Sequence, residues 1–132
     1  MKKDIESIKD IEVLVNAFYE KVKADDSIGE IFTRIVKVNW EKHLPVMYRF
    51  WENSLFYTGT YEGNPMEIHQ HLHHLVHLTK ERFDRWTLLF TSTVDELFEG
   101  KTASLAKQRA ISIATVMQIK ILAVSSAADK IF

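Results

Sequence analysis

Residues 11–22 read Ile11-Glu12-Val13-Leu14-Val15-Asn16-Ala17-Phe18-Tyr19-Glu20-Lys21-Val22. Within this stretch Ile11, Leu14, Val15, Phe18, Tyr19 and Val22 recur at i, i+3, i+4, i+7, i+8 and i+11. That is the period of one face of an α-helix, not the strict alternation of a half-buried strand. Asp25-Asp26-Ser27 and Gly29 then break the pattern. The same period continues along the chain. A short helical turn is expected through Ile31, Phe32 and Ile35. Asn39 is a candidate N-cap for a segment with Trp40, Leu44, Met47, Trp51 and Leu55 on its apolar face. Pro45 leaves two geometries open there: a helix that begins near Leu44 with the proline in its first turn, or a kinked one. Thr58-Gly59 and Gly63-Asn64-Pro65 are turn signals, and Met66 to His77 is a weakly amphipathic helical stretch. Thr79 is a candidate N-cap for a helix with the stripe Phe83, Trp86, Phe90, Val94 and Leu97, ending at Gly100. A last helix starts near Thr102 and aligns Ala106, Ala110, Ile113, Met117 and Ile121. The expectation is an all-α chain in which residues 1–132 form a single domain.

Composition narrows what such a domain does. Apolar residues make up 46% of the 132-residue chain and charged residues 27%, the usage of a folded globular protein. At this length roughly two-thirds of the unfolded surface is buried on folding, so no staple is required. Seventeen Lys and Arg face eighteen Asp and Glu, which gives neither the basic footprint of a nucleic-acid binder nor a polybasic membrane patch. There is no cysteine, which excludes disulfides, iron–sulfur clusters, thiolate-ligated haem and cysteine nucleophiles. Asp4, Glu6, Lys9 and Asp10 stand where a signal peptide needs an apolar run, and no stretch approaches the length of a membrane span. The expected location is cytoplasmic, with no nucleic-acid or membrane partner.

Glycine-rich phosphate loops, a G-x-S-x-G elbow and H-E-x-x-H are all missing. Asp25-Asp26 and Asp95-Glu96 read as solvated carboxylates, and Glu81 with Arg85, four apart, as a surface pair. Two features are anomalous. Five of the six histidines fall within nine residues: His69, His71, His73, His74 and His77. In a helix, His69, His73 and His77 would align at i, i+4 and i+8, a spacing that suits zinc, nickel or copper, and imidazole also suits haem iron. The bland alternative is a polar segment that happens to be histidine-rich. The other anomaly is aromatic: Tyr19 and Trp86 lie on apolar stripes, where an O–H and an N–H must find partners. These are either backbone carbonyls or the ligand of a flat apolar cofactor.

Several ordered motifs resemble one family. They are Phe18-Tyr19-Glu20-Lys21-Val22, then Ile28-Gly29 and Ile31-Phe32; Trp40-x-x-His43-Leu44-Pro45-x-Met47 and Phe50-Trp51; Tyr61-x-Gly63-Asn64-Pro65-x-x-x-His69; and Phe83-x-Arg85-Trp86-x-x-x-Phe90. Together, from Phe18 to Met117, they are similar to the truncated haemoglobins of group III, which lack double-glycine motifs as this chain does.

The resemblance implies a truncated globin fold, a two-over-two helical sandwich around haem b (iron protoporphyrin IX). It implies that His69 is the proximal, metal-binding histidine and that Tyr19 and Trp86 are distal hydrogen-bonding residues. His43 matches a distal position, Phe32 packs on the porphyrin, and Met47, Phe50, Trp51 and Phe83 line the pocket. Arg49, Arg82 and His74 are candidates to meet the propionates. The implied ligands are dioxygen, nitric oxide or peroxide. A reductase partner is also implied, and peroxidase or nitric oxide dioxygenase activity is left open. The alternative is a haem-free helical module that binds metal through His69, His73 and His77.

Overall fold

The computed structural model describes residues 2–29, 40–57 and 79–131, with side-chain environments as far as Ile119. Four helices make up this part: α1 (Ile8–Ala24), α2 (Trp40–Phe56), α3 (Lys80–Leu97) and α4 (Lys101–Ile131). No strand occurs among the described residues. The expected turn through Ile31, Phe32 and Ile35, the cap at Asn39, the turns at 58–59 and 63–65, and the stretch 66–77 lie outside them.

Helix α1 buries Ile11, Leu14, Val15, Phe18, Tyr19 and Val22, the stripe that its spacing predicts. Its first turn is held by Asp10, whose carboxylate accepts from the Glu6 amide at 2.9 Å and pairs with Lys3 at 2.8 Å. An acidic group there also meets the positive end of the helix dipole. The chain leaves α1 through a turn in which the Asp25 carboxylate accepts the amides of Ser27 (2.8 Å) and Ile28 (3.1 Å). A Cβ at Gly29 would lie 2.6 Å from the Val22 carbonyl oxygen, so this close return over α1 requires glycine.

Helix α2 continues through Pro45. It is already helical at Trp40, so the proline stands in its interior rather than in its first turn. The missing N–H and the ring cost roughly 3 kcal/mol in an isolated helix. Burial of Trp51 and Leu55, with Leu44, Met47 and Phe50 packed on the same core, offsets that cost. Helix α3 starts where Thr79 predicts, with the threonine hydroxyl oxygen accepting from the Arg82 amide at 3.3 Å.

Helix α1 packs on α2 and α3, and α4 packs on α3 and α2, so the four close a ring around one core. Phe98 meets the start of α4 and Phe83 packs with Ala114 and Met117 further along it, so α3 and α4 run antiparallel. Ala103, Ala106, Ala110 and Ala114 form a buried small-residue row on α4 that lets its neighbours approach closely.

Asp95 and Glu96 are exposed as expected and pair with Lys107 (2.7 Å) and Lys21 (2.8 Å). Asp25 and Arg85 depart from expectation. Arg85 does not pair with Glu81 one turn away; its Nε donates to Asp25 at 2.5 Å, and the Asp25 side chain is only 4% exposed. Burial opposes ionisation of Asp25, yet the Arg85 hydrogen bond and the two turn amides outweigh it and hold the carboxyl below its usual range. Helical spacing reports neighbours on the same helix, and this partner comes from another element.

The N-terminal segment is fastened to the far end of the chain. The Glu99 amide donates to the Lys3 carbonyl at 2.8 Å. The Asp4 carboxylate accepts the amides of Thr102 (3.0 Å) and Ala103 (2.8 Å), capping α4 from outside its own sequence. Gly100, at φ +142°, makes room: a Cβ there would lie 2.5 Å from the Asp4 Cγ. Burial opposes charge on Asp4, but the Thr102, Ala103 and Ile5 amides prevail and hold its carboxyl below the usual range. Its stabilisation is therefore present above the unfolded carboxyl pKa and lost as pH falls through the lower, folded one. Asp4→Ala is expected to lower the unfolding free energy by about 1–2 kcal/mol at neutral pH. In urea denaturation the gap from the parent protein should close in acid; a gap of constant size would show that the cap is not ionic.

Candidate functional site

Three helices bring an aromatic and polar group together at one end of the core. Tyr19 from α1 is 8% exposed, and its hydroxyl lies 3.1 Å from Nε2 of His43 on α2. Around this pair the rings touch in sequence. Tyr19 tilts against Phe18 with centroids 4.9 Å apart, and Phe18 sets its edge to Trp86 at 5.7 Å and to Phe90 at 5.2 Å. Phe90 in turn stacks on Trp51 at 4.5 Å and on Trp86 at 6.0 Å. The three residues expected on the distal side, Tyr19, His43 and Trp86, therefore share one contiguous aromatic cluster. Their polar atoms are the exception in an apolar surround.

Burial dictates the charge state of the pair. It pushes the Tyr19 phenol far above its ordinary pKa and pushes the His43 imidazolium down. Both groups are neutral around neutral pH. The direction of their hydrogen bond then follows the imidazole tautomer. A protonated Nε2 donates to the phenol oxygen and leaves the phenol proton for another acceptor; a bare Nε2 takes that proton for itself.

The remaining sequence expectations divide three ways. Met47, Phe50 and Trp86 are half-buried apolar side chains packed on the core. Phe83 is buried beside Ala114 and Met117 with Trp86 against them, and Trp51 is buried to 4% in the core. Among the described residues nothing accepts from the Trp86 indole N–H. His69 and Phe32, with His71, His73, His74 and His77, lie outside the described residues. No group of three or more potential metal-ligating side chains occurs among the described ones.

Trp40, a stripe and motif member in the sequence, and Lys23, which no motif marks, stand beside the polar pair. Trp40 lies 5.2 Å from Tyr19 and 5.7 Å from His43 between centroids, and the Lys23 ammonium sits 4.7 Å over the Trp40 ring. The spacing of Tyr19 and Lys23, one turn apart, is visible in the sequence. That this face of α1 meets α2 is not.

Comparison with known proteins bears on the family and the fold. Residues 4–122 match the family model described as bacterial-like globin. The chain is 29% identical over 121 residues to the group 3 truncated hemoglobin ctb of Campylobacter jejuni subsp. jejuni, spanning 89% of this chain and 93% of that protein. The crystal structure of the group III truncated hemoglobin from Campylobacter jejuni superposes with a TM-score of 0.78 at 29% identity, covering 92% of this chain and 95% of that one. The all-α architecture is thus that of a truncated globin.

The buried imidazole predicts a specific pH response. Because burial holds the His43 pKa below the ordinary value of 6.5, its neutral form stabilises the fold fully above that value. As pH falls below it, the unfolded chain takes up a proton that the folded chain refuses, and stability declines. In urea titrations between about pH 7.5 and 5, His43→Gln should lose this part of the decline relative to the parent protein. An identical slope in both proteins would place His43 in water.

Proposed function

Because this chain belongs to the bacterial-like globin family, we propose that it is a haem-binding truncated haemoglobin whose Tyr19, His43 and Trp86 receive a small diatomic ligand. The observation that carries this reading is the neutral Tyr19–His43 pair, 3.1 Å apart and enclosed by rings. Such a donor set on apolar walls fits a flat apolar cofactor: half-buried Met47, Phe50 and Trp86 offer faces to the porphyrin, while the polar atoms are kept for what binds at its centre.

Haem b, when bound, supplies an iron that takes dioxygen, nitric oxide or peroxide. His69 is the residue we assign to hold the iron: a neutral imidazole ligates through one nitrogen while the other is free to bond a carbonyl. Phe32, Phe83 and Trp51 belong to the same assignment as porphyrin neighbours.

The Tyr19 phenol remains protonated because burial raises its pKa, so it can donate to a polar ligand. The Trp86 indole is a second donor on the facing helix. A hydrogen bond to a ligand carrying charge contributes about 1.5–3 kcal/mol. Each donor would therefore slow ligand escape roughly ten- to a hundredfold. Two donors favour tight retention over easy delivery. The contact between the Tyr19 hydroxyl and the His43 imidazole also offers a short proton path. That favours, as a second reading, redox removal of nitric oxide or peroxide served by a reductase partner. A cytoplasmic setting is part of this proposal.

Freshly purified protein should show a Soret band, and His69→Ala should lose tight haem while keeping its helical circular dichroism. Full haem retention in that variant would remove His69 from its role, and a colourless parent protein that refuses added haemin would end the haem reading. In stopped-flow measurements on the ferrous protein, Tyr19→Phe should release dioxygen roughly ten- to a hundredfold faster. An unchanged rate would show that the phenol does not donate.

A further inference from the structure

Tyr19 and Lys23 lie one turn apart on α1, and Trp40 and His43 lie three residues apart on α2. These four side chains make two rungs between the helices. One is the Tyr19–His43 hydrogen bond at 3.1 Å. The other is the Lys23 ammonium 4.7 Å over the Trp40 ring. The rungs are joined by ring contacts, since Tyr19, Trp40 and His43 each lie within 5.2–5.7 Å of the other two. We propose that Lys23 and Trp40 are positioning residues: together they clamp the His43 ring against Tyr19 and so fix the polar pair of the candidate distal site.

The physical case rests on what His43 lacks without the clamp. Its hydrogen bond to Tyr19 is made by a rotatable side chain, and one neutral hydrogen bond holds a ring only weakly. The Trp40 ring, at 77° to the imidazole and 58° to the phenol, occupies the space into which either could turn. Trp40 is half-buried, so part of its ring stays accessible to a cation. Lys23 restrains that ring from α1, its ammonium attracted to the ring face. The Lys23 Nζ is steered in turn by Glu20 at 3.1 Å. Thus a half-exposed lysine acts on the buried pair through one indole. The inference rests on the reading of Tyr19 and His43 as the polar pair of the distal site, and not on iron ligation by His69.

Two measurements on the purified protein test it. Nuclear magnetic resonance of histidine- and tyrosine-labelled protein reads cross-relaxation between the His43 and Tyr19 rings. The carbon monoxide complex of the ferrous haem protein reads the same pair through the number of C–O stretching bands. Lys23→Met, which keeps the aliphatic stem, and Trp40→Leu should each lose at least half of the ring-to-ring cross-relaxation and gain a second C–O band. Trp40→Phe should restore the parent pattern. A merely structural role would lower the melting temperature without changing either signature. Full cross-relaxation and one unchanged band in Lys23→Met overturn the clamp, and that variant decides the matter if Trp40→Leu does not fold. If the parent protein binds no haem, the haem proposal fails, while the cross-relaxation measurement still judges the clamp.

Discussion

The ring of Phe90 ties the first three helices together. It is completely buried, and it meets an aromatic ring from each of the first three helices: the edge of Phe18 on α1, the face of Trp51 on α2 and the face of Trp86 on its own helix. Close-packed interiors tolerate little change of volume, and rings of this size have few ways to interlock. Fixing Phe90 therefore fixes the relative position of three helices. Tyr19, beside Phe18, and Trp86, one turn from Phe90, inherit their places from it. The polar chemistry sits one residue or one turn away from the hub of the core, which is why so few polar atoms are needed to define a site.

The ring of helices and the candidate site differ in how their parts are secured. The core side chains are secured by volume. The polar pair is secured by direction: a hydroxyl and an imidazole nitrogen must face each other across two helices, and burial keeps both uncharged. A neutral pair has no strong field to orient it, so neighbouring shapes must do so. That places more weight on Trp40, and on the charge above it, than their half-exposed positions suggest.

Much of this was readable from residue order because helical periodicity is a local property. The stripe from Ile11 to Val22 is buried along its whole length, and Thr79 caps α3 through its own hydroxyl. Tyr19, His43 and Trp86 were recognisable as a set through ordered motifs, although nothing in their spacing says that two of them touch. Partners across elements escaped the local reading. Arg85 was given to Glu81 because the two are four residues apart, whereas the structure gives it to Asp25. Asp4 is legible only as a charge unfit for a leader segment, whereas it caps a helix through amides 98 and 99 residues away. Pro45 was undecidable for the same reason: propensity set the cost of an interior proline, and tertiary packing decided that the helix would bear it. His69 and Phe32 rest on the family resemblance and on motif spacing.

The link between Asp4 and the amides 98 and 99 positions later has a consequence for biosynthesis. Translation delivers the N-terminus first, so Asp4 leaves the ribosome long before Thr102 and Ala103 exist to receive it. Helix α1 emerges in the same interval, before Trp86 and Phe90, the α3 companions of Phe18, have been translated. Contacts of such wide sequence separation slow folding because the loop must be closed before it is rewarded. The cap on α4 therefore forms only once Thr102 and Ala103 have been added, long after the carboxylate that supplies it.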